Sequence, residues 1–256
     1  MNPNQCRVAL RPRGPLEVLD LQAVLWRSQG GIFAKLLALT VTPFAIVGAM
    51  LCWALDGHVA ILLLPWVAGP VLQAPFTVLA GHLLFADSVP LKRVFADVFA
   101  RAPLLLGAWL VEGLGWVISI ASCGYGAFVI QPACLYLTET ALLERVGSGR
   151  GLRRSLRLAG GHVGIALVGA ASRWVFMVWC GLVGEATGQA VVGTILQLGE
   201  PFGSLMNGQV TPYLILGLLL SQPIHAVYRL LLYVDVRTRI EGWDLQVGLR
   251  AAGLER

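Results

Sequence analysis

Six long apolar blocks, parted by short polar stretches, dominate the chain: residues 32–55, 59–85, 103–123, 125–144, 163–184 and 211–233. Each comes close to the ~20 residues that an α-helix needs to cross a hydrocarbon core ~30 Å thick. The pattern predicts an all-α integral membrane protein with six transmembrane helices. Tight turns join two pairs of blocks, at Asp56-Gly57-His58 and Cys123-Gly124-Tyr125, and a long Gly-rich connection, 185–210, joins the third. Within that connection Ala190–Leu198 is weakly apolar, a piece expected either to lie on the membrane surface or to dip into it.

A short basic amphipathic segment precedes the first, third and fifth blocks: Asp20–Gln29, Leu91–Arg101 and Leu152–Leu158. Apolar residues recur in them at helical spacing, so each should lie flat in the interface. Leu91-Lys92-Arg93 aligns with Leu152-Arg153-Arg154 at an offset of 61, and Leu21, Val24 and Leu25 match Leu91, Val94 and Phe95 at an offset of 70. Gln73-Ala-Pro75, Gln131-Pro132 and Gln222-Pro223 recur at similar depth in the even-numbered blocks. The reading is a single membrane domain, 1–256, made of three tandem repeats of an interfacial helix plus a helical hairpin. Their bounds are ~17–86, ~87–146 and ~147–241, with a tail at 242–256.

Composition sharpens the class. With 57% apolar and 13% charged residues, and a mean hydropathy of +0.73, the chain lacks the polar surface of a soluble domain. Its net charge of +5 raises the question of nucleic acid, but position answers it otherwise. The Lys and Arg residues gather towards the N-terminus, two connections and the C-terminus, with Arg173 the exception, and none occurs in 56–58, 123–125 or 185–210. That is the positive-inside pattern, which places both ends in the cytoplasm. It leaves membrane lipids, with anionic headgroups at the basic interfacial helices, as partners; nucleic acid is not expected. Arg7, Arg11, Arg13, Glu17, Asp20 and Arg27 interrupt the first 31 residues, so no cleavable signal peptide is read there and the first span is expected to direct insertion. Cys6, Cys52, Cys123, Cys134 and Cys180 lack metal-ligand spacing. Cys52, Cys123 and Cys180 fall near outer helix ends, where either a disulfide or plain packing accounts for them.

Three stretches carry a resemblance. They are Leu19-Asp20-Leu21, then Glu144-Arg145 with Gly151-Leu-Arg-Arg-Ser155-Leu-Arg-Leu158, and finally Leu232 to Leu245 with Tyr233, Asp235, Arg237, Arg239, Glu241, Gly242 and Asp244. In these the chain resembles a bacterial group similar to the membrane domain found fused to glycerophosphoryl diester phosphodiesterases. The resemblance implies a helical fold in the bacterial cytoplasmic (inner) membrane and no established activity. The catalytic domain of those enzymes has no counterpart here.

Candidate functional residues are the charges set into the apolar blocks. Glu112 and Arg173 each lie about ten residues into a span and are 61 positions apart, with Thr42 the matching position in the first repeat. A lone charge at that depth costs ~2.5–3.5 kcal/mol, so each should face the bundle interior, and opposite signs suggest an ion pair. His82 and Glu139 lie seven residues past the shared prolines and Arg229 six past its own, which predicts a cytoplasmic-side cluster; His beside Glu is able to relay protons. Pro65, Pro70 and Pro75 in the second block free backbone carbonyls, as in helices that line transport sites or in kinks packed against neighbours. In the tail Asp235 with Arg239, and Arg237 with Glu241, are spaced as i,i+4 pairs. The last helix should therefore run on to Glu241 and stop at Gly242, with Trp243 as an interfacial anchor.

No phosphate loop, zinc motif or Gly-x-Ser-x-Gly element occurs, and Ser148 and Ser155 have no histidine beside them. No catalytic residue, cofactor or metal is expected. Two readings follow. One is a non-enzymatic scaffold or assembly subunit of a bacterial cell-envelope complex, with membrane or cytoplasmic protein partners. The other is a transporter or channel for a small or lipid-like solute.

Overall fold

The computed structural model describes residues 12–86, 88–199 and 201–242. Among them all regular structure is helical: α1 (Pro15–Ser28), α2 (Gly30–Ala54), α3 (Leu63–Leu83), α4 (Leu91–Ala100), α5 (Ala102–Ala121), α6 (Ala127–Cys134), α7 (Leu137–Glu139), α8 (Ser148–Gly161), α9 (Val163–Gln189) and α10 (Pro212–Glu241). Five stretches are long and apolar enough to cross a membrane: Gly30–Ala54, Val59–Leu83, Ala102–Ala121, Val163–Ile195 and Pro212–Glu241. Large apolar side chains lie exposed along them, such as Leu110, Leu114, Val175 and Trp179. Water would penalise such a surface and lipid would not, so the chain is a helical membrane protein. In α10, by contrast, 83% of the most apolar window is buried, against 17% in the Val163–Ile195 helix.

The three amphipathic segments are α1, α4 and α8. Each ends in a single non-helical residue, Gln29, Arg101 or His162, after which α2, α5 or α9 begins at once. Their faces follow the helical period: α8 buries Gly151, Ser155, Leu158 and Ala159 and exposes Arg150, Arg153 and Arg157. The two tight turns between apolar blocks use left-handed backbone at Asp56 and Gly57 (φ 45° and 69°) and at Cys123 and Gly124 (φ 54° and 88°).

The fourth apolar block departs from a simple span. It is α6, interrupted after Pro132, then the single turn α7, then a π-helical turn at Thr140–Glu144 that stops at left-handed Arg145. Proline removes one helical donor and crowds the preceding turn; the exposed backbone groups at the break need other partners. The fifth block is longer than expected. α9 runs to Gln189 and continues as a π-helical turn over Ala190–Ile195. Most of Ala190–Leu198, the piece expected on the membrane surface or dipping into it, extends the helix, since Ala190, Val191, Val192 and Ile195 are as compatible with a helix as the residues before them. α3 stays one helix despite its three prolines. Cys52, Cys123, Cys134 and Cys180 are free thiols, which corrects the disulfide alternative; Cys6 lies outside the described residues.

The chain sorts into two compact units. Unit 1 comprises Met1–Ser28, Ala74–Ala171 and Ala226–Arg256; unit 2 comprises Gln29–Gln73 and Ser172–His225. The boundaries cut through the first and third sequence repeats rather than between them. Unit 2 has a core of Val41, Ile61, Leu72, Ile215 and Leu219. There α9 and α10 approach through glycine: a Cβ on Gly184 would lie 2.7 Å from the Tyr213 carbonyl and 2.9 Å from Gly217 Cα, and one on Gly217 would strike the Cys180 carbonyl. Small residues allow such close approach where no water drives association.

Candidate functional site

Unit 1 concentrates the polar chemistry, beginning at the break between α6 and α7. Ser155 of α8, fully buried, donates its hydroxyl to the Ala133 carbonyl at 2.6 Å and accepts the Tyr136 N–H at 3.2 Å. Gly151, one turn earlier, lets α8 approach: a Cβ there would stand 3.1 Å from Thr140 Oγ1. One serine therefore satisfies an orphaned acceptor and an orphaned donor of the broken helix. Its role is backbone support, which nothing in its local sequence signals.

A charged clasp follows at the end of the π turn. Glu144 accepts a two-pronged bond from Arg154, with Nε to Oε2 and Nη2 to Oε1 both at 3.1 Å. It also accepts the Tyr233 hydroxyl at 2.6 Å. Arg154 reaches on to Glu241. Arg237 of α10 bonds Glu241 at 2.9 Å, approaches Glu144 at 3.8 Å and lies 5.7 Å from the Tyr233 ring centre. Burial opposes charge on Arg154, but its bonds to Glu144 and Glu241 outweigh that and raise its pKa. Two carboxylates and two guanidinium groups thus neutralise one another across α8, α10 and the π turn. A planar guanidinium fork makes this a link of defined geometry.

Deeper in unit 1, Glu139 and Arg229 form an ion pair at 2.6 Å with side chains 0% and 3% exposed. His82, the third residue of the predicted cluster, takes a different partner: Nε2 lies 2.7 Å from Asp97 of α4. Asp97 also stands 3.7 Å from Arg101. Burial opposes ionisation of Asp97, yet the bond to His82 and the charges of Arg101, His82 and Arg93 prevail and hold its carboxyl below the ordinary range. The cluster expected at the prolines is thus two pairings, and α4 supplies the acid that counting from the prolines could not find.

In the tail, Asp235 bonds Arg239 at 2.8 Å, and α10 ends at Glu241 before left-handed Gly242 (φ 57°). Asp244 and Trp243 lie outside the described residues. The Asp235–Arg239 pair also grips the start of the chain: Asp235 accepts the Arg13 N–H at 2.5 Å and Arg239 donates to the Arg13 carbonyl at 2.6 Å.

Glu112 belongs to unit 1, half-buried on α5; Arg173 belongs to unit 2, buried on α9. Within unit 2, Gln73 donates to Gln222 at 2.7 Å, so two of the three repeated glutamines bond each other. Gly69 leaves room there: a Cβ would sit 2.9 Å from Gln222 Oε1 and 3.9 Å from Arg173 Nη2. Sequence reasoning missed Glu185. It is buried, bonds Thr211, and accepts from Gln189 at 3.2 Å and from the Leu205 N–H at 3.3 Å, which ties the outer connection to α9.

Among the described residues, the clasp and the Glu139–Arg229 pair set opposite charges against one another. No family model, curated protein or solved structure matches the chain.

Proposed function

We propose that the chain is a six-span subunit of the bacterial cytoplasmic membrane, with both ends inside, that acts as a non-enzymatic scaffold or assembly component of a cell-envelope complex. The observation that carries this reading is the clasp of Glu144, Arg154, Tyr233, Arg237 and Glu241, together with the buried Glu139–Arg229 pair. Charges that neutralise one another across three helical elements hold one geometry, and a holding role needs no more than that. The single-residue corners at Gln29, Arg101 and His162 support a repeated plan of interfacial helix and hairpin. The broken fourth block supplies the sixth crossing, which brings the basic ends to one side. The resemblance to the membrane domain of glycerophosphoryl diester phosphodiesterases fits this reading, with anionic lipid at the basic face of α8 and protein partners in the membrane or cytoplasm.

A transporter for a small or lipid-like solute is the second reading, favoured by one observation: buried Arg173 and the Gln73–Gln222 bond set polar groups inside apolar unit 2. Purification in mild detergent followed by native mass spectrometry separates the two. The scaffold reading expects a partner protein retained at fixed stoichiometry. Release of the chain alone with a bound solute other than phospholipid would overturn it.

A further inference from the structure

A cavity of about 270 Å³ in unit 1 is lined by His82, Arg101 and Arg145 among the apolar side chains of Val78, Leu142 and Leu143. Its basic side chains come from three separate places: the end of α3, the corner between α4 and α5, and the residue that closes the π turn. Arg145 is exposed and joins no ion pair among the described residues. Its backbone is left-handed, φ 55°, a conformation that asparagine or glycine holds more readily than arginine. Such strain persists where the surroundings impose it, and it gathers at ligand sites.

Among the described residues, the acid beside the cavity is Asp97, and it does not use up this charge. Asp97 bonds His82 at 2.7 Å, but its separation from Arg101 Nη2 is 3.7 Å, beyond hydrogen-bond reach. The guanidinium donors of Arg101 therefore remain available on the cavity side. Burial lowers the Arg101 pKa, Asp97 opposes that, and the like charge of Arg145 lowers it further. Two guanidinium groups close enough to disturb one another are stabilised by an anion placed between them. The cavity lies just under the ~300–1,000 Å³ typical of sites for drug-sized ligands, a size for a headgroup fragment rather than a large solute.

We infer that this cavity binds one phosphate group, held between the guanidinium groups of Arg101 and Arg145 with His82 at its edge. Planar guanidinium forks match phosphate oxygens in pairs, and the apolar walls strengthen the attraction by excluding water. The phosphate belongs either to an anionic lipid headgroup or to free phosphate; both present the same oxygens. The inference is independent of the scaffold reading, since a scaffold and a transporter are equally able to hold phosphate here.

The test titrates the full-length protein in detergent with short-chain phosphatidic acid, short-chain phosphatidylglycerol and inorganic phosphate at fixed ionic strength. Binding is counted by native mass spectrometry and followed by thermal shift. Arg145→Asn removes the charge and suits the left-handed backbone. It should weaken binding of at least one probe by about tenfold, the loss of one charge-assisted contact. Lys35→Gln on the exposed side of α2 also removes one positive charge, lies outside the cavity, and should leave binding nearly unchanged. Leu143→Trp fills the cavity with every charge in place and should match the Arg145→Asn loss. Loss confined to the lipids identifies a headgroup site, and loss with inorganic phosphate identifies a free-phosphate site. Either supports the inference. Unchanged binding in Arg145→Asn or Leu143→Trp, or an equal loss in Lys35→Gln, overturns it.

Discussion

Units 1 and 2 are built from the same three long helices, α3, α9 and α10, plus separate partners, yet they cohere by different means. Unit 2 holds only two Lys or Arg residues, Lys35 and Arg173. Its helices meet through Gly184 and Gly217, and its buried polar links are donated by amides and hydroxyls, as from Gln73 to Gln222 and from Thr211 and Gln189 to Glu185. Unit 1 holds the remaining Lys and Arg and fastens itself with Glu139–Arg229, Asp97–His82 and the Glu144 clasp. The difference teaches where each kind of adhesion pays. In lipid, close backbone approach replaces the hydrophobic effect, whereas a region that carries the basic amphipathic helices has charge at hand and uses it. Unit 1 should therefore fail when a charge loses its partner, and unit 2 when a small residue gains a methyl.

The largest effect should come from the buried pair. Glu139→Gln or Arg229→Met alone strands one charge and should cost about 3–5 kcal/mol. The double variant should recover most of that in detergent unfolding titrations, and a double variant as unstable as the two costs added would show that the pair is not the link. Gly217→Ala drives a methyl into the Cys180 carbonyl and should cost about 1–3 kcal/mol as overpacking does. Gly113→Ala in α5, where a Cβ meets nothing within 4 Å, should be neutral or slightly stabilising. Comparable losses at both glycines in thermal scans would erase the contrast between units. Ser155→Ala leaves the Ala133 carbonyl and the Tyr136 N–H unsatisfied, worth about 1–3 kcal/mol. Thr187→Ala on exposed α9, whose hydroxyl bonds back within its own helix to Val183 at 2.6 Å and Gly184 at 3.2 Å, should change little.

The smallest effect is a pH dependence at Asp97. Its carboxyl is held below the ordinary value, which is about 3.9. The stability it adds to unit 1 is then complete above that value and is lost as acid titrates the folded carboxylate. Since the pair is partly exposed, the contribution should stay under about 1 kcal/mol. Asp97→Asn should lower the melting temperature at neutral pH and converge with the wild type as the pH falls through the lowered value of the folded carboxyl. Parallel curves would place the acid-sensitive group elsewhere.

Much of the plan was legible along the chain. Periodicity located α1, α4 and α8, because a helix that packs one face and exposes the other must alternate every three to four residues. The i,i+4 spacing in the tail anticipated Asp235–Arg239 and the stop at Gly242, since both depend only on neighbours in one helix. Counting from the prolines brought Glu139 and Arg229 to the same level, where they meet. The same counting put His82 with them and missed Asp97, because α4 approaches α3 through a fold-level arrangement that no local spacing encodes. Ser155 was unreadable for the same reason: it supports a backbone break in another helix.

Apolar block length and the placement of basic residues decided alone that this is a helical membrane chain, because the solvation cost of backbone and charge in lipid admits few alternatives. Tertiary structure decided which charge meets which, how the fourth block breaks, and that Glu185 is an internal tie rather than a loop residue. Those outcomes depend on residues far apart in the chain, as with Arg13 and Asp235, and their energies exist only once the helices have packed.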